Sequence, residues 1–388
     1  MIAELSQVDY QLVDSDASLK AACQIWKKSA MLAVDTEFIR TDTFYPQVGL
    51  IQLNDGQTTW LVDPLAIEDW SPFKEIMLAE NCTKIFHSCS EDMLVFIAFL
   101  GVMPTPMFDT QIAATLLNMG LSISYLNLVK HYHQIELPKD ETRSDWLQRP
   151  LTQEQLDYAA LDVIYLPNIA KTQIADLTEQ GKIDWIDEEF NRCHENYASE
   201  FNKDFSEYYR SMRAAWQSSG KQLLALKVIA EWREHRARDR NKPRNWILRD
   251  QPLYAIVQQL PHSMRVLSEI PGISPNFLRY EGEKVLELIE QVQQAESTNY
   301  PSPIARPLSN SQKKTLKVAK EYIESKAIEF QIPPEYLGRK KTIVEFIQLL
   351  LTKAKSESSR EKLFDELPVE LKGWRGEILL DELLNLCV

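Results

Sequence analysis

Strand-forming segments are confined to the first 170 of the chain's 388 residues, and everything beyond about residue 178 is patterned as helix. That division excludes a single all-α or all-β architecture and asks for an α/β domain followed by helical ones. Residues 31–35, Met-Leu-Ala-Val-Asp, are an apolar run ending in an acid. Residues 48–53 and 58–62 follow as further strands, with Asn54-Asp-Gly56 as the turn between them. Residues 84–86 read as a short buried strand that leads into a helix over 91–100, stopped by Gly101 and Pro104. Further helices are expected over 109–118 and 154–165, where Thr152 and Gln155 have capping-box spacing. The expected α/β fold has a mixed sheet.

In the helical half, Leu223, Leu226, Ile229, Ala230 and Trp232 keep a helical period. A Ser-, Pro-, Gln- and Asn-rich stretch with Pro301, Pro303 and Pro307 reads as a linker. At about 150 residues per domain, the length fits an α/β domain over 1–178, a connector over 179–208, helical domains over 209–292 and 311–388, and a linker over 293–310. Hydrophobic residues at 44%, including 9 Trp, 14 Tyr and 14 Phe, exclude disorder as the main state. Only 11 glycines disfavour a turn-rich β fold and any glycine-loop nucleotide machine. The longest apolar run, residues 93–103, is about half of the roughly 20 residues that span a bilayer. The amino-terminal Met-Ile-Ala-Glu-Leu-Ser has no secretory pattern. Five cysteines without a C-x-x-C pair argue against a disulfide framework or zinc, and a reducing cytoplasm is expected.

Net charge is −13, which a uniform distribution would set against nucleic acid. The distribution is not uniform. Lys227, Arg233, Arg236, Arg238, Arg240, Lys242, Arg244 and Arg249 face only Glu231, Glu234, Asp239 and Asp250 within residues 227–250.

Asp35 and Glu37, two apart at the end of the first strand, project to one side. Tyr158 and Asp162, four apart on a helix, share a face. Asp92 stands near the start of the helix after Phe86-His-Ser-Cys-Ser90, and His87 is equally a core or a site histidine. Taken singly, these are solvated loop acids, a core tyrosine beside an exposed acid, and an acid favoured by the helix macrodipole. Taken together, four acids and a tyrosine in an α/β domain are what a two-metal phosphodiesterase requires. Hard divalent cations prefer oxygen ligands, and two of them clamp the attacking and leaving oxygens of an in-line displacement.

Val34-Asp-Thr-Glu-Phe38, Val48-Gly-Leu-Ile-Gln-Leu53, Phe86-His-Ser-Cys-Ser-Glu-Asp92, Phe108-Asp-Thr-Gln111 and Tyr158-Ala-Ala-Leu-Asp162 closely resemble the DEDD exonuclease superfamily. The match is to its tyrosine branch and, within it, to the bacterial ribonuclease D family. The histidine branch would carry histidine at position 157, where this chain has Asp157. Leu226 through Trp232-Arg233, Asn241-Lys-Pro243, Ile247-Leu-Arg-Asp250, Pro261 and Ile270-Pro-Gly272 resemble an HRDC domain, and residues 311–388 a second, more diverged copy.

The resemblance implies an α/β ribonuclease H-like exonuclease domain with a mixed sheet, followed by two all-α HRDC-type domains. It implies a 3′-5′ exoribonuclease that releases 5′-mononucleotides from RNA with a free 3′-hydroxyl, precursor tRNA included. It also implies a cytoplasmic monomer with no membrane partner. Two divalent ions, Mg²⁺ or Mn²⁺, would be held by Asp35, Glu37 and Asp162 and by Asp35 and Asp92, with Glu37 and Tyr158 as catalytic residues and Tyr158 orienting water. Phe38 and Phe44 are candidates to grip the terminal base, and Arg236, Arg240 and Arg244 to meet RNA phosphates. Two other readings stay open on sequence: a proofreading-type 3′-5′ DNA exonuclease, and a non-catalytic RNA-binding adaptor.

Overall fold

The computed structural model describes residues 8–138, 144–197, 204–310, 312–353 and 366–387, so the amino-terminal hexapeptide and residues 198–203 of the expected connector lie outside the described residues. Strands β1 (Gln11–Val13), β2 (Met31–Ile39), β3 (Gln47–Asn54), β4 (Thr59–Val62), β5 (Thr83–Phe86) and β6 (Met107–Asp109) form one sheet in the order β1-β4-β3-β2-β5-β6. β2 pairs antiparallel with β3 and parallel with β5, so the sheet is mixed, as the sequence predicts. β1 and β6 were not expected: at three residues each they are too short to show an alternation. The sequence-based helix over 109–118 accordingly starts one residue later, with Asp109 as its cap.

Helices α1 (Asp16–Trp26), α2 (Ser71–Met77), α3 (Ser90–Leu100), α4 (Thr110–Leu116), α5 (Tyr125–His133), α6 (Gln153–Ile164), α7 (Leu166–Glu179) and α8 (Ile183–Asn196) surround the sheet. β2 is central, which is why Leu32, Ala33 and Val34 are all buried and its first half reads as an unbroken apolar run. α3 packs on β2 and β3, and α6 crosses β2, β3 and β4. Thr152 starts α6 with the capping box read from sequence. Its hydroxyl accepts from Gln155 N at 3.2 Å, and its own N–H donates to Gln155 Oε1 at 2.9 Å. Beside α6, Trp146 packs with Leu50, Leu61, Ala159 and Ala160. Gly49 permits this approach, because a Cβ there would stand 2.4 Å from the Trp146 carbonyl oxygen. Arg149 fixes the segment by donating to Asp63 at 2.6 and 2.7 Å and to Gly49 O at 2.6 Å.

The chain divides into two compact units, one of residues 1–39, 47–196 and 308–388, the other of residues 40–46 and 197–307. The last helical segment thus groups with the α/β part, and the β2–β3 loop groups with the first helical domain. In the second unit, α9 (Lys221–Asp239), α10 (Arg244–Ile247), α11 (Asp250–Gln259), α12 (Met264–Ser268) and α13 (Pro275–Gln294) close on Leu223, Leu226, Ile229, Ala230, Leu253 and Val285. The loop is fastened there by Asn241 Oδ1, which accepts from Phe44 N and Tyr45 N at 3.0 Å each. The expected linker over 293–310 begins in the last turn of α13 and carries one further helical turn, Ser297–Asn299.

In the first unit, α14 (Gln312–Phe330), α15 (Pro334–Leu337), α16 (Lys340–Lys353) and α17 (Trp374–Cys387) make up the last helical segment, and one buried carboxylate of α8 ties α15 and α17 to that helix. Glu189 accepts from Tyr336 Oη at 2.9 Å, Trp374 Nε1 at 2.9 Å, Arg375 Nη1 at 2.5 Å and Arg192 Nη1 at 2.9 Å. Trp185 stacks on Trp374 at 4.6 Å. Among the described residues no helix is long and apolar enough to cross a membrane.

Burial pushes the Glu189 carboxyl up, but Arg375, Arg192 and Trp374 outweigh burial and hold it below its ordinary value. Glu189→Ala leaves Arg375, 2% exposed, without its counter-charge, and costs about 3–5 kcal/mol in urea unfolding. A carboxyl lowered in the folded state contributes fully above its unfolded value. The wild-type advantage is therefore largest above about pH 4.3 and shrinks as pH falls through the folded value.

Candidate active site

Strand alternation sends Asp35 and Glu37 to one face of β2, and one helical turn separates Tyr158 from Asp162 on α6. Because α6 lies across β2, the two pairs converge. One carboxylate oxygen from each of Asp35, Glu37 and Asp162 lies within 4.8 Å of the other two. Tyr158 has the Asp162 carboxyl as its first charged neighbour, and its ring lies 6.2 Å from that of Trp146. Asp92, in the first turn of α3, is outside this trio but has Asp35 as a charged neighbour. It is 6% exposed, and its Oδ1 accepts from Thr36 Oγ1 at 2.5 Å.

The electrostatics of this group are unfavourable in a single direction. Burial pushes the Asp35 carboxyl up to about 7, against a backbone hydrogen bond from Thr36. Burial, then the charges of Asp35, Asp162 and Asp92, push Glu37 up to about 10. Asp92 and Asp162 are raised well above the carboxylate range by burial and by Asp35. Tyr158 is raised by burial and then by Asp162, Glu37 and Asp35. Four carboxyls held together cannot all ionise near neutral pH unless positive charge joins them. The donors are all hard oxygens, so a hard divalent cation fits.

Sequence reasoning missed several residues that hold this site. Asp109 accepts from Ser88 N and Cys89 N at 3.1 and 2.8 Å and from Gln111 N at 2.8 Å. It thereby fixes both the turn before α3 and the start of α4. Its signal was the Phe108-Asp-Thr-Gln111 motif, noted without a role. His87 is a structural histidine: Nδ1 pairs with Thr110 Oγ1 at 2.9 Å and Nε2 with Ile123 O at 3.1 Å. Tyr125 Oη donates to Leu161 O at 2.8 Å, bracing α6. Gln52 lies opposite Asp35 in the β2–β3 register. It is fully buried, and neither carboxamide atom has a hydrogen-bond partner among the described residues.

The other candidates are placed differently from expectation. Phe38 follows the register shift in β2 and is half-buried. Phe44, expected at the terminal base, is 5% exposed, with the guanidinium groups of Arg238 and Arg244 at 4.3 and 4.9 Å from its ring centre. It packs with Ala237 and Ile247, so its role is in the core of the second unit. Arg236 and Arg240, expected to meet phosphate, pair with Glu281 at 2.9 and 2.7 Å. Arg244 donates to Glu234 Oε2 at 2.8 Å. Glu281 and Glu234 are 5% and 0% exposed, and buried carboxylates must be matched, so each of these arginines balances a buried acid while about a third of its side chain stays exposed.

The family described as 3′-5′ exonuclease matches residues 10–173, and the HRDC domain matches residues 222–289. Ribonuclease D of Pseudomonas paraeruginosa (strain DSM 24068 / PA7) is 38% identical over 377 residues, 97% of either chain. Ribonuclease D of Escherichia coli (strain K12) is 33% identical over 387 residues, 98% of either chain. The crystal structure of Escherichia coli RNase D, an exoribonuclease involved in structured RNA processing, matches with a TM-score of 0.86 at 32% identity over 98% of both chains.

A carboxyl raised on folding costs stability that grows as pH climbs from its unfolded towards its folded value. Asp162→Asn removes one of the crowded charges. In EDTA at pH 8 it raises the Tm of the metal-free protein. The same variant loses most of the rise in Tm that divalent cation gives the wild type. Thermal denaturation with and without Mg²⁺ checks both, and a destabilised metal-free variant contradicts the crowding.

Proposed function

The chain belongs to the ribonuclease D family, and from that premise we propose that it trims RNA at free 3′-hydroxyl ends, with precursor tRNA and other small RNAs among its substrates. Membership carries hydrolytic 3′-5′ exoribonuclease activity and a need for divalent metal. The observation that carries the proposed site is the convergence of Asp35, Glu37 and Asp162 within 4.8 Å.

In this reading Asp35, Glu37 and Asp162 would hold one divalent cation and Asp35 with Asp92 a second, Mg²⁺ or Mn²⁺. When bound, the ions lower the pKa of water and offset charge on the phosphate. Tyr158 directs its hydroxyl at the attacking water, and Glu37 accepts a hydrogen bond from the same water. Together they aim its oxygen at the last phosphorus. The new P–O bond forms as the P–O3′ bond breaks. The penultimate nucleotide leaves with its 3′-oxygen protonated, and the terminal one departs as a 5′-monophosphate. Thr36, through Asp92, and Tyr125, through α6, keep the carboxylates in place. The free thiols of Cys23, Cys82, Cys89 and Cys193 support a reducing cytoplasm as its compartment, and the working form is a monomer.

Tyr158→Phe keeps the packing against Trp146 and removes the orienting hydroxyl. Its kcat on 5′-labelled RNA falls about 10²-fold, the cost of a misaimed reactant, while Mg²⁺ affinity is kept. Wild-type protein shortens the labelled RNA one nucleotide at a time and stalls on a 3′-phosphate. Internal cleavage, or equal degradation of both ends, overturns the reading.

A further inference from the structure

Gln52 stands on β3 directly opposite Asp35 of β2 and, on its other side, opposite Leu61 of β4. Side chains paired in this way across antiparallel strands share a face of the sheet, with Cβ atoms about 4.5–5.5 Å apart. Gln52 therefore lies on the face that carries Asp35 and Glu37, under α6, where Leu50 and Leu61 pack with Ala159 and Ala160. The side chain is wholly buried, and among the described residues neither its Oε1 nor its Nε2 has a hydrogen-bond partner. A carboxamide taken out of water and left unbonded costs free energy that an apolar side chain of the same shape does not.

The other buried amide side chains are each bonded. Asn54, two residues further along β3, donates from Nδ2 to Thr59 Oγ1 at 2.8 Å and accepts from Gly56 N at 2.7 Å. Gln155 donates to Asp145 O at 3.3 Å and accepts from Gln148 Nε2 at 2.9 Å, and Gln173 donates to Thr110 O at 3.0 Å. Of the residues that flank Gln52 on its face, Leu50 and Leu61 are apolar and Asn54 is already paired, which leaves Asp35. A buried donor that packing does not use calls for a role outside packing. Carboxylates that hold metal are themselves held by neighbouring donors, which set their orientation. Asp92 has such a side-chain donor in Thr36 Oγ1 at 2.5 Å. For Asp35, the side chain in place to supply one is Gln52.

We propose that Gln52 is a positioning residue of the carboxylate site, donating from Nε2 to Asp35 when a divalent cation is bound and so fixing which oxygen Asp35 turns to the metal. The proposal rests on the metal-dependent reading above and deepens it, naming a side chain outside the ligand set that tunes the ligand common to both cations. Because no hydrogen bond of the fold uses the amide, its contribution is confined to the metal-bound state. In the metal-free protein an apolar side chain of similar volume is tolerated or preferred at this position.

The test uses the full-length protein, with thermal denaturation in EDTA and Mn²⁺ affinity read from the electron paramagnetic resonance of the free ion. Gln52→Met keeps the length of the side chain and removes both polar atoms. Its Tm in EDTA is at or above that of the wild type, while Mn²⁺ binds about 10- to 100-fold more weakly, the cost of losing a group that orients a metal ligand. Gln52→Leu gives the same pair of results. Wild-type Mn²⁺ affinity in both variants overturns the proposal. A lowered Tm in EDTA in both variants also overturns it, since the amide then belongs to the packing. Absence of Mn²⁺ binding by the wild type instead overturns the metal site proposed above, so the two failures are distinguishable.

Discussion

Asp35, Glu37, Asp92 and Asp162 are carried out of water by β2, α3 and α6; burial raises all four, and the charges of neighbouring carboxylates raise Glu37, Asp92 and Asp162 further. Removing such groups from water costs several kcal/mol per ion unless opposite charge is supplied. The surrounding structure is arranged to keep them there. Asp109 fixes the turn before α3, Thr36 holds Asp92, and Gly49 lets Trp146 press against the strand next to α6. The crowding that costs stability is what a hard divalent cation would relieve.

Elsewhere the chain resolves the same problem with arginine. Glu189 is matched by Arg192 and Arg375, Glu234 by Arg238 and Arg244, and Glu281 by Arg236 and Arg240. Each pairing closes a fold internally, and removing one partner would leave a buried charge. The contrast separates carboxylates matched by arginine from a carboxylate cluster that other carboxylates surround. It also explains why a basic segment in a chain of net charge −13 is not simply a surface for RNA. Most of its arginines are spent on glutamates of their own unit.

The convergence of Asp35, Glu37 and Asp162 was legible in the sequence because the spacings that aim them are local. Two residues along a strand and four along a helix fix which side chains share a face before any tertiary contact forms. The mixed sheet, the capping box on Thr152 and the helical second half followed from equally local signals. The role of Phe44 and of Arg236, Arg240 and Arg244 was not legible. Their partners, Glu234 and Glu281 among them, are up to some two hundred positions away, and nothing in residue type distinguishes a phosphate-binding arginine from one that neutralises a buried acid. Phe44 was a candidate for the terminal base, yet its loop is fastened to Asn241.

Sequence alone therefore determined the chemistry: oxygen donors in number, a tyrosine one turn from the last of them, and the α/β scaffold that presents both. Tertiary structure alone decided which charges remain available. It brought α6 across β2 so that three carboxylates meet, left Gln52 unpartnered opposite Asp35, grouped residues 308–388 with the α/β part through Glu189, and left Trp246 in water while Trp232 was packed. The physical reason is that periodicity is set by neighbours within a turn or a strand, whereas burial and ion pairing depend on contacts between segments far apart in the chain.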